Sequence, residues 1–198
     1  YMPFLSPSQD HVFTKRELRE IVPEHNEGVN AVPQLLTKRA EDFVWAAGEL
    51  SQMGYREVNL NLGCPSGTVF SKGKGSGMLR DPGQLERFLD EVFAHAPLPI
   101  SLKTRLGVEQ PVELIRQLDV DNRYPFTLLT VPPRVPKDFY DGPLQTKLFH
   151  YALDHSKNPL CFNGNLTSRD QLDAFSKTFH GGPNGMGGRE LNGKPASL

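Results

Sequence analysis

The sequence has few cysteines, no long apolar segment and no marked excess of either charge. Its 198 residues include two cysteines, Cys64 and Cys161, which are too few for a disulfide framework and leave two thiols for chemistry or packing. No run approaches the roughly 20 apolar residues that span a bilayer, and the sequence shows no basic-then-apolar leader. We therefore expect a cytoplasmic protein that does not contact membranes. The net charge of −1, from 22 basic and 23 acidic residues, argues against a dedicated nucleic-acid binder.

Short apolar runs alternate along the chain with segments of helical periodicity. Apolar residues recur every three or four positions over residues 40–50 and 85–93, and a further helix is predicted over 14–22. The apolar runs that predict strands lie at residues 2–5, 29–36, 57–62, 99–103, 127–131 and 159–162 and around Met186.

This alternation predicts parallel strands joined by helical crossovers. Thr37 and Asp81 occupy predicted N-cap positions, and Gly54 occupies a predicted helix end. About seven strands and five helices suit either an open doubly wound sheet or an incomplete (β/α)8 barrel. Residues 1–198 contain no internal boundary, so we expect one α/β domain.

One of the two cysteines stands at the predicted end of a strand. The run that ends at Asn61 opens into Gly63-Cys64-Pro65, and the catalytic side chains of barrels gather at the carboxyl ends of their strands. A free cysteine is more often a small buried side chain, which is our interpretation of Cys161 inside an apolar run. The position of Cys64 favours catalysis instead.

A glycine-rich segment follows Cys64. Residues 66–77 contain four glycines and two lysines, Lys72 and Lys74. The segment is expected to be a mobile lid, and its lysines suit a polyanionic substrate. A charge cluster of this size is more often a solvated face, so the lysines alone do not decide the substrate.

Six motifs in a fixed order resemble the tRNA-dihydrouridine synthases. The segment NLGCPS followed by KGKGSGMLRDP, within residues 61–82, is similar to the signature loop of that family. The other motifs are VPQL at 32–35, SLKTRLG at 101–107, PRVPKDFY at 133–140, NGN at 163–165 and GMGGR at 185–189. The resemblance implies an FMN-dependent (β/α)8 barrel that reduces the C5–C6 double bond of a uridine in tRNA. NADPH or NADH would be the reductant.

The same resemblance implies roles for individual residues around the flavin. Cys64 would protonate C5 from the face opposite the flavin, because a thiol has an available proton near neutral pH. Lys103 would place positive charge near the N1–C2 oxygen edge of the ring, and Gln34 would hydrogen-bond the ring edge. Without the resemblance, a strand-end lysine is better interpreted as solvent-facing. The residues implied for the FMN phosphate are Asn163, Gly164, Gly188 and Arg189.

Five residues are implied for the substrate side. Asn61 would lie beside flavin and uracil, and Lys72 and Lys74 would face the tRNA backbone. Arg105 and Arg134 suit either contact with nucleic acid or structural ion pairs, and the sequence leaves both open. No metal site and no stable protein partner are predicted.

The chain also departs from the family pattern. The usual first strand, reading Ala-Pro-Met, is not found, nor is the helical domain that usually follows the barrel. Pro132 stands where a histidine normally helps to bind FMN, Asn165 replaces an aspartate, and Glu190 follows Arg189 near the expected phosphate site. These departures predict either a fragment or a divergent copy with weakened flavin binding.

Two alternatives to a tRNA-dihydrouridine synthase stay open on the sequence. A flavin oxidoreductase that acts on a free pyrimidine would have a similar barrel, although the lysine-glycine segment after Cys64 fits the tRNA enzymes better. A degenerate barrel could also keep a scaffold or RNA-contact role without flavin.

Overall fold

The computed structural model describes residues 1–108, 110–132, 146–163 and 184–186. Within them, seven strands form one sheet in which every pair of neighbours is parallel and the strands follow chain order. The strands are β1 (Phe4–Leu5), β2 (Gln34–Leu35), β3 (Val58–Asn61), β4 (Ile100–Lys103), β5 (Leu129–Val131), β6 (Leu160–Asn163) and β7 (Asn184–Met186).

The order of the strands decides between the two predicted architectures. A doubly wound sheet reverses its strand order at a switch point, whereas a (β/α) barrel adds each new strand beside the last. The observed order is sequential from β1 to β7. In the part of the chain that the structure describes, β1 does not pair with β7. The fold is thus an incomplete (β/α) barrel, which confirms the prediction.

Helices connect the strands. Over the described ranges these are α1 (Lys15–Ile21), α2 (Ala40–Gln52), α3 (Gly67–Ser71), α4 (Pro82–His95), α5 (Leu114–Asp121) and α6 (Thr146–His155), with 3₁₀ helices at Pro23–Asn26, Gly75–Arg80 and Pro111–Glu113. None of these helices is long and apolar enough to cross a membrane.

Helix boundaries follow the sequence signals with one correction. The side chain of Asp81 accepts a hydrogen bond from the Gln84 amide at 3.0 Å and caps α4, and Gly54 adopts φ +91° after α2, both as predicted. Thr37 does not cap α2, which begins after Arg39. Its hydroxyl accepts from the Arg39 amide at 3.2 Å and so stabilises the turn before the helix.

The two faces of the strands differ in polarity. Leu35, Leu60 and Leu102 lie in one hydrophobic cluster with Phe43 of α2 and Leu89 of α4, so the apolar face packs against the helices. On β2 to β6 the alternate positions face the inside of the barrel and carry polar side chains or a thiol. They are Gln34, Asn59, Asn61, Ser101, Lys103, Thr130, Cys161 and Asn163. Phe4 of β1 lies on the same face and is apolar. Barrel interiors are usually filled by branched aliphatic side chains, so this interior is unusual in its capacity for hydrogen bonding.

Two predicted segments differ from the structure. The strand predicted over 29–36 is reduced to Gln34–Leu35, since Val29 is 64% exposed and lies outside the sheet. Residues 66–77 were expected to form a mobile lid. They enter α3 and the 3₁₀ helix Gly75–Arg80, and the neighbouring Met78 and Leu79 are buried and anchor the segment to the core. The segment is thus more regular than a glycine-rich loop, and its mobility stays a prediction.

Candidate active site

Polar residues from four strands reach the carboxyl edge of the sheet. Gln34 lies in β2, Asn61 ends β3 and lies opposite Lys103 at the end of β4, and Asn163 ends β6. Cys64 follows β3 at the same edge. Because all seven strands are parallel, these positions face one side of the barrel, where barrel enzymes place their chemistry. The structure therefore brings the predicted acid and the predicted cofactor ligands of three other strands to one edge.

Hydrogen bonds hold the backbone of Cys64 on both sides of the thiol. The side-chain oxygen of Asn61 accepts from the amides of Gly63 and Cys64, both at 3.0 Å. Ser76 donates to the Cys64 carbonyl from its amide at 3.2 Å and from its hydroxyl at 2.8 Å. The thiol is half-buried. The backbone that carries the thiol is therefore held in place by hydrogen bonds within the protein.

Lys103 is largely buried and has no anionic partner among the described residues. In the part of the chain that the structure describes, no carboxylate lies within ion-pairing distance of it. Burial lowers the pKa of Lys103 to about 8, and the positive charge of Arg105 adds to this effect. Cys64 and Cys161 both lie close enough to interact with the amine electrostatically. The amine can therefore stabilise negative charge that develops beside it.

Arg105 is buried and bonded to the backbone, which favours a structural role over the predicted contact with substrate. Its side chain is 4% exposed, and its Nε donates to the carbonyl of Gly63 at 2.7 Å. The arginine turns back from β4 onto the loop after β3 because that loop passes close by. A Cβ at Gly63 would lie 3.0 Å from the carbonyl oxygen of Thr104.

The two lysines of the glycine-rich segment lie in different surroundings. Lys72 is exposed. Lys74 is half-buried, and its Nζ donates to the hydroxyl of Ser6 at 3.2 Å, which links the segment to the end of β1. A Cβ at Gly73 would lie 4.0 Å from the Nζ of Lys38, so a third lysine approaches the same rim.

Several predicted site residues lie outside the described residues. They are Arg134, Gly164, Gly188 and Arg189, together with Asn165 and Glu190 of the departures noted above. Pro132 is described and is buried directly after β5.

Comparison with protein families places the chain in one of them. A model of the family described as Dihydrouridine synthase matches residues 2–198. The chain belongs to the dihydrouridine synthase family. This confirms the resemblance that the six motifs indicated.

Curated relatives in the dihydrouridine synthase family are longer than this chain. An uncharacterised tRNA-dihydrouridine synthase-like protein of Caenorhabditis elegans is 31% identical over 145 residues, which are 69% of this chain and 50% of that protein. A probable tRNA-dihydrouridine synthase of Rickettsia bellii is 25% identical over 186 residues, which are 93% of this chain and 56% of that protein. The chain thus spans about half the length of these relatives.

A solved structure has a similar fold. It is that of a variant of NCR from Zymomonas mobilis, with a TM-score of 0.59, 16% sequence identity, and coverage of 97% of this chain and 71% of that chain. At this identity the likeness concerns the fold alone. The arrangement of strands and helices described above therefore recurs in a solved protein.

The sequence analysis missed three polar residues beside this site. Asn59 and Ser101 are 0% exposed inside the barrel, and the hydroxyl of Ser76 is bound to the Cys64 carbonyl. The strands read V-N-L-N and I-S-L-K, in which polar and apolar positions alternate. That alternation predicts one polar face, but it was interpreted only as two apolar runs. Nothing in the sequence distinguishes Ser76 from other residues of a glycine-rich segment.

Proposed function

We propose that the protein is a tRNA-dihydrouridine synthase, which uses FMN to reduce the C5–C6 double bond of a uridine in tRNA with Cys64 as general acid. The observation that carries this proposal is that Cys64 and Lys103 lie at the carboxyl ends of the neighbouring strands β3 and β4, in a chain of this family. Reduction of a polarised double bond needs a proton donor and a stabilised negative charge. A thiol and a buried cation supply these two functions.

The residues at the carboxyl edge fit a flavin ring. The edge of the ring carries carbonyl oxygens and nitrogens, which accept hydrogen bonds and gain negative charge on reduction. Lys103 offers an amine that no carboxylate neutralises among the described residues, and the amide of Gln34 offers an N–H. Lys103 would hold the N1–C2 oxygen edge, and Gln34 would hold the ring. Asn163 would reach the phosphate together with Gly164, Gly188 and Arg189, which lie outside the described residues.

The cofactor and the side chains of the protein would supply different parts of the reaction. When bound, FMN would supply the hydride that adds to C6. Cys64 would give its proton to C5 from the opposite face of the uracil ring. Asn61, which holds the Cys64 amide, would lie beside both the flavin and the base. Since Asn61 and Ser76 already hold the amide and the carbonyl of Cys64, we expect little reorganisation of this loop when the base arrives.

A base in tRNA reaches such a site only after it leaves its stack. Lys72 and Lys74 at the rim would bind the phosphates that flank the extruded nucleotide, since phosphate contacts supply much of the affinity for nucleic acids. Arg134, which lies outside the described residues, would add to this surface. NADPH or NADH would reduce the flavin between turnovers, and the reaction would take place in the cytoplasm.

The test uses the full-length protein with FMN, NADPH and an unmodified tRNA transcript. We expect a gain of two hydrogens at a uridine by mass spectrometry of the digested tRNA, with no product from free uridine or uracil. Reduction of the free pyrimidine but not of tRNA would favour the alternative oxidoreductase. Absence of bound flavin and of product with every substrate would contradict the proposal and favour a barrel without catalysis.

A further inference from the structure

We propose that Asn59 and Ser101, which lie beneath the site and have no role in the chemistry above, are positioning residues for Cys64. They are 0% exposed and face the inside of the barrel on β3 and β4. A chain of hydrogen bonds runs from Ser101 through Asn59, Gln34 and Asn61 to the backbone of Cys64. The inference deepens the proposed function, since it concerns the placement of the same thiol.

The four hydrogen bonds of this chain are short and buried. The Nδ2 of Asn59 donates to the Ser101 hydroxyl at 3.0 Å, and the Nε2 of Gln34 donates to the Oδ1 of Asn59 at 2.8 Å. The Nδ2 of Asn61 then donates to the Oε1 of Gln34 at 2.7 Å. The Oδ1 of Asn61 finally accepts from the amide of Cys64 at 3.0 Å. The four side chains that form this hydrogen-bond series are all buried.

The last residue of this hydrogen-bond series, Asn61, fixes which way every side-chain amide in the series is turned. Backbone amides can only donate, so the atom of Asn61 that faces Gly63 and Cys64 must be the oxygen. The nitrogen of Asn61 must then donate to Gln34, and the same reasoning sets the orientation of Gln34 and of Asn59. A rotation of any one amide would oppose two donors or two acceptors. The orientation of each side chain thus depends on all the others.

This directed chain also limits what the site can bind. The oxygen of Asn61 already accepts two hydrogen bonds, and one of its two N–H groups binds Gln34. A single N–H is therefore all that Asn61 has left for a ligand. It can bind only an acceptor atom, such as a carbonyl oxygen or an unprotonated ring nitrogen. Asn59 likewise takes one of the two N–H groups of Gln34, which leaves the second N–H of Gln34 for a ligand.

A neighbouring residue on β3, Leu60, provides a control that distinguishes a positioning role from a purely structural one. Leu60 lies between Asn59 and Asn61 on the same strand, but its side chain is on the apolar face and packs in the hydrophobic cluster. Loss of Leu60 packing would destabilise the fold without disturbing the amide chain. Loss of the Asn59 acceptor would free Gln34 and Asn61 and loosen the backbone of Cys64. The two substitutions on one strand therefore predict different behaviour of the thiol.

The experiment measures alkylation of Cys64 by iodoacetamide in the full-length protein without FMN or tRNA, with the two cysteines distinguished by peptide mass spectrometry. We expect Asn59→Leu to make alkylation several-fold faster than in the wild type. Asn59→Asp keeps an acceptor for Gln34 and should restore the wild-type rate. Leu60→Ala should lower stability and leave the rate in the folded protein unchanged. In turnover, Asn59→Leu should lower the single-turnover rate by up to about 100-fold, because a shift of about 1 Å in a reacting group can cost that much.

Ser101→Ala removes only the terminal acceptor and decides the question if Asn59→Leu does not fold. It should shift the alkylation rate in the same direction by a smaller factor. Equal alkylation rates for the wild type and for the Asn59 and Ser101 variants would overturn the positioning role. The positioning role would also be overturned if Leu60→Ala, at the same stability as Asn59→Leu, changed the alkylation rate of Cys64 by the same factor. Because alkylation needs neither flavin nor tRNA, its outcome is independent of whether the protein reduces tRNA.

Discussion

At the scale of single residues, the surroundings of the two thiols differ. Cys64 is half-buried at the end of β3, whereas Cys161 is 3% exposed within β6. Burial raises the pKa of Cys161 to about 11, so that thiol stays protonated at neutral pH and is a poor acid. One thiol is open to the carboxyl edge and the other is packed. Cys161 is therefore a matched control for experiments on Cys64.

Substitution Cys64→Ala should remove proton donation and leave cofactor binding intact. We expect single-turnover formation of dihydrouridine to fall by about 10² to 10⁴, the usual contribution of a positioned general acid. FMN affinity should match that of the wild type, because in the proposed mechanism the thiol faces the substrate and not the flavin. Oxidation of the reduced flavin by oxygen should continue at the normal rate. The measurement is single-turnover analysis of tRNA with the flavin content determined in the same sample.

The control variant Cys161→Ala should behave in the opposite way. It removes a buried side chain, so it should lower the free energy of unfolding and leave the rate of proton transfer near that of the wild type. A wild-type rate for Cys64→Ala would remove Cys64 from the mechanism. A joint loss of stability, flavin and turnover in Cys64→Ala would instead show that Cys64 is structural.

Lys103 predicts a pH dependence of stability. Burial lowers its pKa from 10.5 in the unfolded chain to about 8 in the folded chain. Between these pH values the unfolded chain binds more protons, so the free energy of unfolding rises with pH from about 8 to 10.5. Below pH 8 the buried charge destabilises the fold fully, by about 3 kcal/mol for a shift of this size. Lys103→Met should therefore be more stable than the flavin-free wild type at pH 7, and this difference should shrink as pH rises.

The measurement is urea unfolding of both proteins, freed of flavin, at a series of pH values from 7 to 10.5. The difference between the two curves isolates Lys103 from other groups that titrate in this range. Lys15→Met is the matched control, since Lys15 is exposed on α1 and should show no such difference. A constant difference between Lys103→Met and wild type at all pH values would contradict the lowered pKa.

Residues differ in how far their position predicts their role. Asn61 and Lys103 close predicted parallel strands, and Cys64 follows the first of them. Strand ends of one sheet meet at one edge, so the proximity of these residues followed from the sequence. Arg105 occupies an equally suggestive position, yet it bonds the carbonyl of Gly63. The direction of a long side chain depends on which loop passes beside it. That information is tertiary and is not contained in the local pattern.

At the scale of elements, the segment after Cys64 is more ordered in its hydrogen bonding than its composition predicts. The amide of Gly77 donates to the Lys74 carbonyl at 3.0 Å, and that of Lys74 donates to the Val69 carbonyl at 3.1 Å. Two of its glycines permit close packing instead of motion. Gly75 adopts φ +56°, and a Cβ there would lie 3.0 Å from the Cβ of Cys64. Glycine content alone does not distinguish a flexible loop from a tightly packed one.

Substitution Gly77→Ala should destabilise this segment through a backbone clash. A Cβ at residue 77 would lie 2.6 Å from the carbonyl oxygen of Phe70, and a backbone atom cannot move aside easily. We expect a loss of about 1–3 kcal/mol, typical of overpacking. Alkylation of Cys64 should also change, because the adjacent Ser76 holds the Cys64 carbonyl. Urea unfolding and the iodoacetamide rate measure the two effects.

The matched control is Gly67→Ala at the start of α3. A Cβ there meets no atom within 4 Å, and alanine favours helix over glycine. Gly67→Ala should therefore be as stable as the wild type or slightly more stable, with an unchanged alkylation rate. Equal stability of the two variants would show that residues 66–77 do not pack as described.

Elements with strong local signals were predicted better than those set by their neighbours. The helix α4 has an N-cap at Asp81, a proline at its first position and apolar residues at helical spacing, so its limits were close to those predicted. The strand β2 has only two residues of the eight predicted. Its length depends on how far β1 and β3 extend beside it, and the apolar character of residues 29–36 does not report on those neighbours.

At the scale of the whole molecule, charge is distributed unevenly over a chain with a net charge of −1. Lys38, Lys72 and Lys74 lie at the carboxyl rim, and within the described residues none of them forms an ion pair. A local positive rim attracts a polyanion even when the total charge is near zero. The overall charge, which argued against nucleic acid at first, is therefore a weaker guide than the position of these lysines.

The affinity for flavin is a property of the whole fold, and we expect it to be measurable but weak. Pro132 is buried directly after β5, where it supplies no side-chain donor, and Glu190 adds a negative charge next to Arg189. FMN should therefore be lost on gel filtration of the purified protein. Substitution Pro132→His should increase the fraction of FMN that is retained, because it restores a donor at this position.

Added FMN should still stabilise the fold, because a ligand that binds only the folded state raises the free energy of unfolding by mass action. At 100 times Kd the gain is about 2.7 kcal/mol, and for a chain of this size it corresponds to a rise in Tm of roughly 5 to 10 °C. Riboflavin, which lacks the phosphate, should give a smaller rise at the same concentration. Stoichiometric FMN after gel filtration would show that Pro132 and Glu190 do not weaken binding. No change in Tm at millimolar FMN would show that this barrel does not bind flavin at all.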